Sequence, residues 1–208
     1  MESTTKITTF FLDVGGVLGT NGWDRNARKE AAEKYGLDLA DMNDRHHLTF
    51  DTYEVGKITL DEYLDRLVFF EPRSFSREAF KEFMLSKSVA FPDMINLICQ
   101  LKKKYKLKVA VVNNEGRELN EYRIQKFGLS EFVDFYVSSA FAHFRKPDAD
   151  IYKLALDIAQ VPAENILYLD DRALFIQVAA GLGIKGIVHR NFEETKAKMA
   201  ADYGLFLD

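Results

Sequence analysis

The sequence predicts an α/β fold: a doubly wound parallel sheet with helices on both faces and a helical segment inserted after the first strand. Short apolar runs rich in β-branched residues recur along the chain, as is typical of buried parallel strands. Segments with helical periodicity and recognisable caps separate them. The first two apolar runs, residues 7–13 and 108–113, are separated by mostly helical patterns, which indicates an insertion.

The first strand lies in ITTFFLDVGGVL, residues 7–18, where an apolar run stops at Asp13 and is followed by Gly15 and Gly16. In an open α/β sheet, ligands bind beyond the carboxyl ends of the strands. Glycines after the strand let the backbone approach a ligand closely. Asp13 is therefore the candidate nucleophile.

Three helices are predicted in the inserted segment. The first covers residues 23–36, with Asp24 near its start and Gly36 just past its end. Two more follow the N-cap residues Thr59 and Ser76. We therefore predict a helical cap domain and a core domain in two segments. The cap covers residues 20–88, and the core covers residues 1–19 and 89–208.

Helices and strands alternate over the rest of the chain. Caps, prolines and apolar runs predict their bounds. The helices are Pro92 to about Lys104, 118–127, 147–160 opened by Pro147, and 173–183, and the strands are 108–113, 134–139, 165–171 and 185–190. Five strands joined by helical crossovers give the doubly wound parallel sheet.

The composition excludes several classes of protein. The chain has 208 residues, of which 47% are hydrophobic, which is enough to bury a core and excludes a disordered chain. A formal net charge of −4 argues against a general nucleic-acid binder, although a small anionic ligand is compatible with it. The single cysteine, Cys99, lies in an apolar helical pattern and is predicted to be buried.

The N-terminal residues do not resemble a signal peptide, and no apolar stretch approaches the length that spans a bilayer. We expect a cytoplasmic protein, a monomer or homodimer, with no membrane or nucleic-acid partner.

Carboxylates and amides end three of the predicted strands, and a lysine precedes a helix between them. Hard oxygen ligands, a nucleophile, hydrogen-bond donors and a counter-charge are what magnesium-assisted phosphoryl transfer requires. The residues are Asp13 after the first strand, Asn113 and Asn114 after the second, Asp170 and Asp171 after the fourth, and Lys146 before Pro147.

Four motifs that together span nearly the whole chain resemble those of the haloacid dehalogenase superfamily, in the subfamily with a small helical cap. Two further segments, YEVGKITLDEYL and LDDRALFIQVAAGLGIKGIVHRNFEET, are similar to sugar-phosphate phosphatases of that subfamily. The motifs are DVGGVL, VVNNEGR, RKPDADIY and LYLDDR, at residues 13–18, 111–117, 145–152 and 167–172.

The resemblance implies a small phosphorylated substrate as the partner, a mechanism and a set of roles. Asp13 would attack phosphorus to give an aspartyl-phosphate that water hydrolyses, and Lys146 would hold both the phosphate and Asp13. Asp13, Asp170, Asp171 and the backbone carbonyl of Gly15 would hold Mg²⁺. The phosphate would be bound by Gly15, Gly16, Asn113, Asn114 and Lys146.

Two positions depart from the family pattern. Gly15 stands where most of the phosphatases carry an aspartate that protonates the leaving alcohol, a function that contributes about a hundredfold to ten-thousandfold in rate. Asn113 stands where serine or threonine is usual, and it can still donate to a phosphate oxygen. A different group, Glu115 or the cap residues His46 and His47, is a candidate proton donor.

Two alternatives follow from Gly15. A haloacid dehalogenase needs no acid, because halide leaves unprotonated and Asp13 would attack carbon. A non-catalytic module would keep the fold and bind a phosphorylated ligand or a protein. Asp170 and Asp171 would repel each other without a divalent cation between them, and dehalogenation requires no metal, so the phosphatase is favoured.

The cap is expected to select the substrate by closing over the phosphate. Aromatic side chains there suit a sugar ring, and arginines suit further phosphates or carboxylates. The candidate lining residues are Trp23, Arg25, Arg45, His46 and His47.

Overall fold

The computed structural model describes residues 6–207, which form five strands and ten α-helices. Two short 3₁₀ turns, Leu129–Glu131 and Ala163–Asn165, lie between them. The strands are β1 (Thr9–Leu12), β2 (Lys108–Asn113), β3 (Phe135–Ser138), β4 (Ile166–Asp170) and β5 (Lys185–Val188). The helices are α1 (Arg25–Tyr35), α2 (Leu39–Glu54), α3 (Leu60–Leu67), α4 (Arg77–Ser86), α5 (Pro92–Tyr105), α6 (Arg117–Lys126), α7 (Ser139–Ala142), α8 (Ala149–Ala159), α9 (Ala173–Ala180) and α10 (Phe192–Tyr203).

The five strands form one sheet in the order β3-β2-β1-β4-β5, and every pairing is parallel. In the central strand, Thr9 aligns with Lys108 on one side and with Ile166 on the other. The chain builds outward from β1 in one direction and then in the other, so the topological switch lies between β1 and β4. This confirms the predicted doubly wound sheet and directs attention to the carboxyl ends of those two strands.

The central strand is apolar throughout because both faces of the sheet are covered. Phe10 and Leu12 pack into the cluster that includes α5, whereas Phe11 points to the opposite face and packs against α8 and α9. All three side chains are fully buried. Burial on both sides fixes the register of β1 and hence the position of Asp13, the residue after it.

The helices between β1 and α5 have an apolar cluster of their own, which includes Trp23, Tyr63 and Phe80. The predicted caps are confirmed: Asp24, Thr59 and Ser76 each accept a hydrogen bond from the first turn of a helix. The assignment of residues 20–88 to a cap domain stays a prediction.

The structure differs from the sequence-based prediction in five places. Helices α2 and α10 are not predicted, because each buries few side chains and has a weak apolar stripe. Helix α7 is not predicted because its four residues are too few to show a helical period. Helix α8 begins at Ala149 with Asp148 as its N-cap, so Pro147 does not open it, and the Lys146–Pro147 bond is cis. Cys99 is partly rather than fully buried.

Within residues 6–207, no helix is both long enough and apolar enough to cross a membrane.

Candidate active site

The carboxyl ends of β1 and β4 bring three of the predicted site residues into contact. Lys146 Nζ lies 3.1 Å from Asp13 Oδ1 and 2.6 Å from Asp170 Oδ2. Lys146 is buried, and its Nζ also donates to the hydroxyl of Tyr168 at 3.0 Å. Tyr168 in turn donates to Asp170 Oδ2. The lysine is therefore fixed between the two carboxylates.

Burial and charge set the protonation of this centre. The pKa of Asp13 is raised to about 7, and burial is the largest cause. Asp170 and Asp171 also raise this pKa, whereas Lys146 lowers it. Burial also opposes the charge on Lys146, but Asp13 and Asp170 raise its pKa above the usual range. Lys146 consequently stays protonated.

The site holds more negative charge than one lysine neutralises. Asp13, Asp170 and Asp171 each offer a carboxylate oxygen within 4.8 Å of the others. Oδ1 of Asp171 is buried and has no hydrogen-bond partner in the described part of the chain. An orphaned carboxylate oxygen in an oxygen-rich cluster fits a hard divalent cation such as Mg²⁺.

Gly16 makes the approach of Asp171 possible. Its φ of 74° is in the left-handed region, and a Cβ there would lie 2.5 Å from Asp171 Oδ2. Any side chain at this position would displace the carboxylate. Gly16 thus has a steric role next to the acidic cluster.

The two asparagines after β2 have different surroundings. Asn114 lines the cavity, and its side chain pairs with the backbone of Lys146 through two 2.8 Å hydrogen bonds. Asn113 is buried and donates to Asn120 Oδ1 at 3.1 Å, and it does not line the cavity. The structure therefore brings Asn114 to the site as a support for Lys146 and does not bring the side chain of Asn113 there.

A buried arginine that no sequence motif identifies connects the loops around this site. Arg123 on α6 is 1% exposed. Its Nε donates to Ser88 Oγ at 3.1 Å, Nη2 donates to the carbonyl of Thr20 at 2.8 Å, and Nη1 lies 3.0 Å from Glu115 Oε2. It links the loop after β1 to the loop after β2.

Glu115 and Arg123 lie beside the position that lacks a carboxylate. A Cβ on Gly15 would be 3.6 Å from Arg123 Nη1 and 2.9 Å from Asn21 Oδ1. The pKa of Glu115 is raised to about 7, and burial is the largest cause. Glu54 and Asp13 also raise this pKa, whereas Arg123 lowers it. A carboxyl group that titrates near neutrality therefore faces the same cavity as Asp13.

A cavity of about 430 Å³ lies between this centre and the helices inserted after β1. Of the lining residues predicted in the inserted segment, Trp23, Arg25 and His46 line the cavity, whereas His47 and Arg45 do not. Arg45 instead pairs with Asp41 on its own helix. The principal lining residues are Asp13, Gly15, Asn114, Glu115 and Lys146 on the core side, and Trp23, Arg25, Arg28, His46, Phe50 and Arg145 around them.

Gly22 makes room for Arg123, which leads to a prediction about stability. A Cβ on Gly22 would lie 2.0 Å from Arg123 Nη2, whereas a Cβ on Gly36 meets nothing within 4 Å. Both glycines have φ near 65°, at 68° and 64°. Gly36→Ala should lower the free energy of unfolding by about 1–2 kcal/mol, because alanine is strained in the left-handed backbone conformation. Gly22→Ala should cost at least about 2 kcal/mol more, because it also breaks the buried ion pair.

Urea denaturation of the two variants measures this difference, since they share the backbone penalty. Equal losses of unfolding free energy would show that Arg123 does not occupy the space beside Gly22.

The chain is similar to known hydrolases over much of its length. Residues 7–183 match the family described as haloacid dehalogenase-like hydrolases. The chain is 29% identical over 124 residues to bifunctional epoxide hydrolase 2 of Rattus norvegicus, covering 58% of this chain and 22% of that protein. It is 26% identical over 167 residues to flavin mononucleotide hydrolase 1 of Arabidopsis thaliana, covering 77% of this chain and 64% of that protein. The chain thus matches less than two thirds of either relative.

Solved structures share the fold. An enzyme of the same family from Bacteroides thetaiotaomicron, in complex with magnesium and inorganic phosphate, superposes with a TM-score of 0.73 at 20% identity, covering 91% of this chain and 98% of that one. The L-2-haloacid dehalogenase from Xanthobacter autotrophicus, with chloropropionic acid covalently bound, superposes with a TM-score of 0.62 at 14% identity. The match covers 96% of this chain and 84% of that one.

Proposed function

The chain belongs to the haloacid dehalogenase-like hydrolases, and from that premise we propose that it is a magnesium-dependent phosphatase of a small phosphorylated metabolite. The observation that carries the proposal is the buried centre of Asp13, Lys146 and Asp171, with its orphaned carboxylate oxygen. The phosphate and magnesium in the related Bacteroides structure, and the flavin mononucleotide hydrolase among the relatives, support the same chemistry.

The cation would be held by the three clustered carboxylates and the backbone carbonyl of Gly15. Bound Mg²⁺ supplies positive charge that lets an anionic nucleophile approach an anionic phosphate. Asp170 already accepts hydrogen bonds at both oxygens, from Lys146 and Tyr168 at Oδ2 and from the amide of Arg172 at Oδ1. Asp171 therefore has the oxygen most available for direct coordination.

The core-side residues hold the phosphate and the nucleophile in one place. Protonated Lys146 contacts Asp13 Oδ1, and its positive charge would also attract the bound phosphate. The backbone amides of Val14 and Gly15 would donate to the phosphate oxygens. The amide of Gly16, also predicted to bind phosphate, already donates to the carbonyl of Gly19 at 2.7 Å. An Asp13 oxygen attacks phosphorus as the bond from phosphorus to the leaving oxygen breaks, which gives the aspartyl-phosphate. Water then attacks the same phosphorus and the bond to Asp13 breaks.

We assign the proton transfers to Glu115. Its protonated carboxyl would donate to the departing oxygen, and the resulting carboxylate would take a proton from the attacking water. Burial raises its pKa to about 7, which suits both steps. His46 is a poor substitute because burial lowers its pKa to about 3, so the imidazole is neutral at physiological pH. Arg123 acts on Glu115 as a positioning residue.

Glu115→Gln is predicted to affect substrates according to their leaving groups. Turnover of an alkyl phosphate should fall about a hundredfold or more, because the alkoxide needs a proton. Turnover of p-nitrophenyl phosphate should fall much less, because nitrophenolate leaves without one. Glu121→Gln, an exposed change on α6, the helix that follows Glu115, is the control. Equal losses on both substrates would exclude proton donation.

The same assignment fixes a pH dependence. Bound Mg²⁺ would keep the nucleophile Asp13 ionised, so the pKa of Glu115 governs this dependence. A pKa raised from 4.5 to about 7 keeps Glu115 protonated below neutrality, and kcat/KM for alkyl phosphates should therefore fall as pH rises through about 7. The groups that set this value are Arg123, Glu54 and Asp13. The decline should disappear in Glu115→Gln.

Gly15 also keeps a second candidate open, a haloacid dehalogenase, because halide leaves without a proton. The dehalogenase with covalently bound chloropropionic acid has the same fold. Against this reading, three clustered carboxylates with one lysine would repel an anionic haloacid unless a cation were present.

One experiment separates the candidates. Phosphate release from p-nitrophenyl phosphate and a panel of sugar phosphates is measured with magnesium and with a chelator, beside chloride release from 2-chloropropionate. Magnesium-dependent phosphate release supports the phosphatase. Chloride release without added metal would replace it with the dehalogenase. If neither phosphate nor chloride is released, the chain would instead be a binding module that keeps the fold.

A further inference from the structure

On the side of the active-site cavity that faces α1 and α2, one arginine has a guanidinium nitrogen without a hydrogen-bond acceptor in the described chain. Arg28 on α1 is half-buried, and its Nε donates to Asn43 Oδ1 and its Nη1 to the carbonyl of Trp23, both at 3.0 Å. In the described chain it forms no ion pair within 4 Å, and its Nη2 forms no hydrogen bond. Asp24 is the acidic group that influences it, and the Asp24 carboxylate caps the helix at Ala27.

A chain of hydrogen bonds orients a second donor beside it. Trp23 Nε1 donates to the hydroxyl of Tyr63 at 2.9 Å. Burial raises the pKa of Tyr63, so the hydroxyl keeps its proton, which it can donate to His46 Nδ1 at 2.8 Å. With Nδ1 as an acceptor, the neutral imidazole carries its hydrogen on Nε2. His46 thereby offers one N–H group to the cavity that it lines.

Two of the acidic groups on this side of the cavity are paired with an arginine. Arg145 lies 2.5 Å from Asp51 Oδ2 and 2.6 Å from Glu54 Oε2. Asp24 also lines the cavity, but its Oδ1 caps α1 at Ala27 and it forms no ion pair with Arg28. A half-buried cation without a directly paired carboxylate is costly, so the arrangement favours an anion from outside the chain.

We propose that Arg28 and His46 bind a second acidic group of the substrate, a carboxylate or a further phosphate, opposite the phosphate that is removed. This inference rests on the proposed phosphatase function and names its substrate class: a compact phosphomonoester with an oxyanion at its other end. Trp23 and Phe50 line the same cavity. A cavity of about 430 Å³ suits a molecule of this size.

A series of three-carbon esters tests the proposal: glycerol phosphate, phosphoglycerate with a carboxylate, and glycerol bisphosphate with a second phosphate. Hydrogen bonds to charged groups are strong enough that kcat/KM should be about 10- to 100-fold higher for at least one of the two doubly anionic esters. The preferred ester identifies the second acidic group as a carboxylate or a phosphate. In Arg28→Met, the ratio of kcat/KM for that ester to kcat/KM for glycerol phosphate should be close to one.

Arg66→Met is the matched control, because it removes the same charge from an exposed position on α3 and should keep the ratio. Arg28→Lys retains the charge and should keep part of it, which provides a readout if Arg28→Met does not fold. Equal kcat/KM for all three esters, or a preference unchanged in Arg28→Met, would overturn the proposal.

Failure of the phosphatase function is distinguishable from failure of this inference. If none of the esters releases phosphate, calorimetric titration of each into the protein with magnesium measures the preference without turnover. Tighter binding of a doubly anionic ester, lost in Arg28→Met, supports the second oxyanion site; equal affinity refutes it.

Discussion

Asp13→Asn is expected to lower kcat for p-nitrophenyl phosphate by at least about 10,000-fold, as removal of other catalytic nucleophiles does. The amide is nearly isosteric but cannot form the acyl phosphate. It also reduces the crowding of negative charge around Asp170 and Asp171, so the variant should fold. Asp157→Asn, on the exposed surface of α8, removes the same charge and should retain full activity.

Phosphate release in a coupled assay measures this effect, with circular dichroism to verify folding. A folded Asp13→Asn protein that retains a tenth of the activity would mean that another group, or water directly, attacks the substrate.

Lys146→Met is expected to have the largest effect on stability. It leaves Asp13 and Asp170 without the cation between them, and removing one partner of a buried ion pair costs about 3–5 kcal/mol. Activity should also be lost, because the same Nζ atom contacts the nucleophile. Denaturation is measured in chelator, so that added metal cannot replace the lost charge.

Lys153→Met is the control for this change. Its ammonium group forms an exposed pair with Asp150, and such pairs contribute about 1 kcal/mol or less. If both lysine variants lost equally little stability, Lys146 would not neutralise the carboxylates in the folded protein.

Much of the fold was predictable because its signals are local. The apolar run before Asp13 and the capping residues Asp24, Thr59 and Ser76 each depend on neighbouring residues, and their elements appear where they were expected. The meeting of Asp13 with Asp170 was predictable for a different reason: strand ends in a parallel sheet share one edge.

Other parts of the site depend on contacts that sequence spacing does not reveal. Arg123 lies on a polar helix, where the pattern suggests a solvated side chain, and only the folded chain brings it to Thr20 and Glu115. The orientation of His46 likewise depends on Tyr63, a residue of another helix. Long-range polar contacts of this kind have no periodicity to detect.

Asn113 illustrates a limit of motif-based inference. Its place in the second motif predicted a phosphate contact, yet its amide donates to Asn120 one helix further on. Asn114 lines the cavity and supports Lys146 through its peptide backbone, and its contact with phosphate stays a prediction. Adjacent residues at a strand end point to opposite sides, so the motif alone does not determine which one faces the ligand.

Trapping the covalent intermediate tests the central claim most directly. Protein in excess is mixed with radiolabelled acetyl phosphate and magnesium, quenched in acid, reduced with borohydride and digested for mass spectrometry. The proposed mechanism predicts label that hydroxylamine removes, and homoserine at position 13 after reduction, with neither formed in chelator or in Asp13→Asn. Magnesium-dependent turnover without any label at Asp13 would contradict it.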